Sequence, residues 1–174
     1  MLPTGVSLLT LTPHADERGI FTELYRASWE PGIVPAQWNA VRSEQDVLRG
    51  VHVHRRHTDY LTVVAGTATI GLHDLRPGSP TEGMGTTVDL GANTPRALVI
   101  PVGVAHGFYF HEQSVHLYAV SHEFDPADEL GCRWDDPDLQ IPWACTEPLI
   151  SERDRELGSL SELHDVWRGA LAPA

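Results

Sequence analysis

Lysine is missing from this 174-residue sequence: all 12 of its basic residues are arginine, set against 24 aspartates and glutamates. The resulting net charge of −12 makes a nucleic-acid backbone an unfavourable partner. A small anionic ligand is not excluded, because an arginine-lined pocket inside an acidic protein still binds phosphate well. Cysteine is scarce. Cys132 and Cys145 make no disulfide framework and read as free thiols. No apolar run approaches the roughly 20 residues of a membrane span. The opening "MLPTGVSLLTLTPHADERG" has no basic leader and no convincing cleavage site, so the expected location is the cytoplasm. Repeats and low-complexity segments are lacking too. Apolar content is ordinary at 41%, which fits one globular domain over residues 1–174 with a sizeable core.

What the chain does have is a succession of short β-branched and apolar runs between turn signals. "VSLLTLTP", "GIFTELYR", "DYLTVVAGTATIGLHDL", "GTTVDLG", "RALVIP" and "VHLYAVSHEF" read as strands. The pair Ala65–Gly66 and the stretch Arg76–Gly83 read as connections. Many short strands with Gly/Pro turns predict an all-β sandwich or closed barrel over about residues 5–150. Helical periodicity emerges only in "SERDRELGSLSELHDVWRGAL", where one or two short helices are expected over about 151–170, with Ser161 as an N-cap. The final "ALAPA" reads as a frayed tail.

The stretch "RGVHVHRRHTDYLTVVAG" holds three histidines and an aspartate within eight positions, His52 to Asp59. His52 and His54 are two apart, which on a strand puts both on one face and the valines on the other. If the imidazoles face inward they line a cavity. Farther on, "IPVGVAHGF" places His106 after a Pro-x-Gly turn. This spacing resembles the paired motifs of the cupin superfamily, in which four such side chains ligate one divalent ion. Here they are His52, His54, Asp59 and His106, a donor set suited to Fe, Mn, Ni, Cu or Zn. Cupins usually place Glu where Asp59 stands; Asp is one methylene shorter, and His57 is the nearby substitute. His73, His111, His116, His122 and His164 lack such a pattern and read as ordinary surface or strand residues.

A longer resemblance overlays the first. "DERGIFTELYR", "QWNAVRSEQDVLRGVH", "DLRPGSPTEG", "IPVGVAHGF", "LYAVSHEFDPADELGCRWDDPDLQIPW" and "LISERD" occur in this order. Together they resemble the dTDP-4-dehydrorhamnose 3,5-epimerase family from about residue 5 to residue 160. The resemblance implies a cupin jelly-roll barrel with a short C-terminal helical extension, a homodimer, and a nucleotide-sugar substrate with no organic cofactor. It implies proton removal beside the C4 ketone of a dTDP-4-keto-6-deoxy sugar and return from the other face. Such chemistry needs a base, an enolate stabiliser and an acid. His52 matches the family's base, Asp154 its hydrogen-bonding aspartate, and Tyr118 its acid. Gln37, Asn39, Arg49 and His106 fall at positions around sugar and diphosphate. Arg18 and Glu23 match a segment lent to the neighbouring subunit. Asp154 also reads as part of a helix-capping sequence.

The departure from the family is specific. Aligned back from Gly66, the family's lysine falls at Asp59, and the glutamine two residues after the base is His54. The substitutions that break the epimerase pattern are those that complete the metal pattern. A divalent ion there would act as Lewis acid, yet a ligating His52 is poorly placed to be a free base. Three readings stand: an epimerase-type isomerase, a metal-dependent cupin enzyme (oxygenase, cyclase, lyase or keto isomerase), and a non-catalytic cupin that binds metal or a small molecule.

Overall fold

The computed structural model describes residues 1–171; the last three residues of the tail "ALAPA" lie outside that range. Twelve strands form in chain order. They are β1 (Ser7–Thr10), β2 (Pro13–Asp16), β3 (Gly19–Thr22), β4 (Gln37–Ser43), β5 (Leu48–Val53) and β6 (Asp59–Ala65). There follow β7 (Thr67–Asp74), β8 (Gly85–Gly91), β9 (Arg96–Ile100), β10 (Val104–Phe110), β11 (Ser114–Val120) and β12 (Leu130–Gly131). Two helices close the chain, α1 (Glu152–Arg155) and α2 (Leu160–Leu171).

The strands build two five-stranded antiparallel sheets, ordered β1-β9-β6-β11-β4 and β12-β5-β10-β7-β8, with β2 and β3 as a separate hairpin. This is the sandwich-type all-β fold that the strand pattern predicts, in the jelly-roll form that the family resemblance implies. A cluster of Leu61, Val63, Ile70, Leu72, Leu98, Ile100 and Phe110 draws residues from both sheets and fills the space between them. A second cluster lies on the outer face of the β5 sheet, where Val51 and Val53 meet Leu160, Leu163 and Trp167 of α2. A third covers the other sheet, with Tyr60 and Val99 against Leu11 and Ile33. The alternation in "VHVH" is thus resolved: both valines pack outward under α2, which leaves His52 and His54 for the interior.

Two glycines are required where they stand. Gly66, at φ +75°, makes the β6–β7 hairpin, and a Cβ there would sit 2.2 Å from Ser114 Oγ. Gly50, at φ +105°, lies where β5 crosses β10, and a Cβ would meet the His106 carbonyl oxygen at 2.7 Å. The pairing of β5 with β10 slips beside it, between His106 opposite His52 and Phe108 opposite Arg49. That close approach brings His52 and His106 side by side.

The helix boundaries differ in one respect from expectation. Ser159, not Ser161, caps α2: its hydroxyl accepts from the Glu162 N–H at 3.2 Å, and the Glu162 carboxylate accepts from the Ser159 N–H at 2.6 Å. The reciprocal pair is a capping box, Ser-x-x-Glu. Among the described residues no helix is long and apolar enough to cross a membrane, and both cysteines are free.

Candidate active site

A cavity of about 470 Å³ takes the remaining space between the sheets. Phe108 and Tyr118 pack on the inter-sheet core and also line this cavity. His52 reaches it from β5 and Tyr118 from β11, one from each sheet. A molecule bound between them is flanked by groups from opposite sides.

His52 is held by Asp154. Its Nε2 lies 2.7 Å from Asp154 Oδ1, and the Gly50 N–H donates to Oδ2 at 3.4 Å. Asp154 comes 102 positions later in the chain. It is placed by α1, whose N-cap Ser151 accepts the Asp154 N–H at 3.1 Å. Burial alone would push the Asp154 carboxyl up. Hydrogen bonding to His52, Ser151 and Gly50 outweighs burial and holds it below the ordinary range, so it is a carboxylate at neutral pH. With Nε2 committed to an anion, the Nδ1 of His52 is the nitrogen left to take a proton.

Beside this pair lies a second group. His54, His57 and Asp59 are all buried, and each offers a ligand atom within 4.8 Å of the others. His106 Nε2 lies 3.9 Å from Asp59 Oδ2, and His57 Nε2 3.7 Å from Oδ1. Burial and the neighbouring imidazoles push His54 down to about 2, and burial brings His106 to about 4. Both are neutral at physiological pH. Asp59 is pushed well above the carboxylate range by burial and by the nearby Glu129 and Asp128.

The other expected residues divide. Asn39 and Arg49 line the cavity; Arg49 donates through Nε to Ser43 Oγ at 3.0 Å. Gln37 does not line it but donates to Asn39 Oδ1 at 2.8 Å and so orients it. Arg18 and Glu23 are away from the cavity, in and just after the β2–β3 hairpin, paired with Asp16 and Arg26. Tyr118 carries a phenol raised above its ordinary range by burial and by Asp59, which keeps it a proton donor. Sequence reading missed Asp128 and Glu129, and it took His116 for an ordinary strand residue. His116 is buried, lines the cavity and stacks on Tyr118 at 5.9 Å between ring centroids. The available signal was its i, i+2 spacing from Tyr118 on one strand face.

A jelly roll with this inward-facing acid–base apparatus defines a cupin-type enzyme acting on a small molecule. Comparison with known proteins narrows the class. A family profile described as dTDP-4-dehydrorhamnose 3,5-epimerase matches residues 3–162. The chain is 38% identical over 153 residues to the dTDP-4-dehydrorhamnose 3,5-epimerase of Pseudomonas aeruginosa, covering 81% of this chain and 83% of that one. Among solved structures it resembles NovW, a 4-keto-6-deoxy sugar epimerase from the novobiocin biosynthetic gene cluster of Streptomyces spheroides. There the TM-score is 0.88 at 32% identity, over 96% of this chain and 88% of that one. It also resembles ChmJ, a 3'-monoepimerase from Streptomyces bikiniensis solved with dTDP-quinovose, at TM-score 0.87 and 28% identity over 100% and 91% of the two chains. The chain belongs to the dTDP-4-dehydrorhamnose 3,5-epimerase family and is an isomerase of the nucleotide-sugar epimerase type.

Proposed function

We propose that the protein epimerises a dTDP-4-keto-6-deoxy sugar at a carbon next to the C4 ketone, with His52 as base and Tyr118 as acid. The observation that carries this reading is the 2.7 Å pairing of His52 with a buried, ionised Asp154 inside the cavity. In the step, His52 takes the proton from the carbon beside the ketone. The C–H electron pair forms the C=C bond of an enolate, and the carbonyl pair moves onto oxygen. Tyr118, on the opposite sheet, returns a proton to the other face of the same carbon, and His52 gives its proton to solvent as Tyr118 is reprotonated. Asp154 stabilises the imidazolium while it exists. Asn39 and Arg49 hold the sugar and diphosphate, with His106 beside them. The active form is a homodimer in which Arg18 and Glu23 of one protomer reach the partner's cavity. Support for this is the hairpin itself, which bonds only within itself and leaves Ile20 and Phe21 exposed.

The test is proton exchange in D2O on dTDP-4-keto-6-deoxyglucose, followed by NMR. Wild-type protein washes deuterium into a position next to the ketone. His52→Ala slows this by about 10²–10⁴, the usual contribution of a general base. Wash-in at the wild-type rate in His52→Ala overturns the assignment.

A further inference from the structure

We infer that the protein binds one divalent first-row transition-metal ion through His54, His57, Asp59 and His106, with His52 outside the ligand set. The inference deepens the epimerase reading by supplying an electrophile to the same cavity, and it rests on that reading for its purpose only.

Four observations carry it. First, Asp59 is 5% exposed, yet its nearest side-chain cation donors are imidazole nitrogens at 3.7 and 3.9 Å, beyond hydrogen-bond range. Among the described residues no arginine pairs with it, and the chain has no lysine to do so. A buried carboxylate in that position either stays protonated or meets a cation.

Second, the separations suit an ion. Donors about 2.1 Å from a tetrahedral centre lie about 3.4 Å from one another, and the Asp59 oxygens already stand 3.7 and 3.9 Å from two imidazole nitrogens. The sheets meet here: His106 comes from β10, Asp59 from β6, and His54 and His57 from the segment between β5 and β6.

Third, both imidazoles facing Asp59 have an acceptor behind them, hydrogen-bonded in the case of His106. His106 Nδ1 donates to the Val104 carbonyl at 3.1 Å, which fixes the tautomer with a lone pair on Nε2. His57 Nδ1 lies 3.5 Å from Asp128 Oδ2. Asp128 is itself anchored by the Arg55 and Arg56 N–H groups at 2.9 and 3.1 Å. Outer partners of this kind orient ligand histidines and strengthen them as donors.

Fourth, His54 is 6% exposed and its Nδ1 has no hydrogen-bond partner; Glu129 Oε1 is 3.2 Å away but off the line of a hydrogen bond. An unpartnered nitrogen at this depth is costly unless something else claims it.

His52 stands apart because its Nε2 is taken by Asp154. The competition between base and ligand therefore does not arise: His57 fills the place that a His-x-His pair would give to His52. Three nitrogens and one oxygen suit Zn, Co, Ni or Fe, and a five- or six-coordinate ion keeps positions open. An open position beside the base would accept a ketone oxygen as Lewis acid.

The experiment uses cobalt(II) chloride alone as probe. Chelator-stripped full-length protein is incubated with the salt, passed through a desalting column, and assayed by elemental analysis and visible absorption. The expected result is about one cobalt per chain, with the visible bands of a nitrogen- and oxygen-ligated ion. Asp59→Asn and His57→Gln, each checked for folding by circular dichroism, are expected to weaken cobalt binding at least tenfold. His52→Gln is expected to retain it in full while losing deuterium wash-in. Wild-type protein that keeps no cobalt overturns the inference. So does retention in Asp59→Asn, or loss in His52→Gln with retention in His57→Gln. Cobalt content reads the metal site and deuterium wash-in reads the epimerase, so either can fail alone.

Discussion

Asp154 shows how one carboxylate is tuned by what touches it. Asparagine in its place keeps the volume, but its amide carries no charge to support an imidazolium. Asp154→Asn is expected to slow deuterium wash-in within the roughly 10²–10⁴ range of base catalysis, and by less than His52→Ala. Asp74 is a purely structural counterpart. It is fully buried and accepts from Arg76 at 2.7 Å through both Nε and Nη2, from Ser79 at 2.6 Å and from Thr81 at 2.7 Å. Burial raises its carboxyl, but these hydrogen bonds outweigh burial and hold it well below the ordinary range. A carboxyl with a depressed folded-state pKa stabilises fully above its unfolded value of about 3.9, and that stabilisation fades as pH falls through the folded value. Asp74→Asn should therefore cost roughly 1.5–3 kcal/mol at pH 7, the usual worth of hydrogen bonds to a charged group, because Arg76 keeps its bond to the Thr4 carbonyl but loses its anion. The gap from wild type should narrow below about pH 4, as read by urea denaturation across pH.

Short elements position the site, and they were the hardest to foresee. Helix α1 has only four residues, but its Ser151 cap fixes the backbone that carries Asp154. Ser151→Ala removes a capping bond worth about 1 kcal/mol. Its effect on the wash-in rate should exceed its effect on the urea midpoint, because the carboxylate loses its anchor. Strands with apolar alternation, such as β6, β7, β9 and β11, were legible from their runs. Strand β4 was not, because its pattern is inverted: Asn39 turns toward the cavity, whereas Trp38 is 46% exposed. "GIFTELYR" reads as one strand but ends at Thr22. Beyond it Leu24 and Tyr25 pack against the core, and the Tyr60 hydroxyl donates to the Leu24 carbonyl. The grouping of His52, His54, Asp59 and His106 at one cavity was visible in their spacing. Asp154 was legible only through family resemblance, since nothing local to "SERD" points to a strand a hundred residues earlier. Asp128 and Glu129 left no local signal at all, because the loop that carries them matters only for what it faces.

At the scale of the whole molecule, the outer clusters are as consequential as the core. Trp167 is 2% exposed and clamps α2 over Val51 and Val53, the outward side of the strand that bears His52. Trp167→Ala should destabilise the fold by roughly 3–5 kcal/mol, measured by urea unfolding. The proposed dimer is tested by Phe21→Asp: sedimentation should show a dimer in wild type at micromolar concentration and a monomer in the variant, since a charge on that exposed apolar pair opposes burial. The division of the proposed base and acid between two sheets has a further result. His52 and Tyr118 belong to separate hydrogen-bonded ladders, so a change that removes one leaves the register of the other untouched. The barrel can shed its proton donor and keep its proton acceptor intact. A lineage built on it can therefore abandon inversion for plain exchange, or for another fate of the enolate, by editing a single sheet.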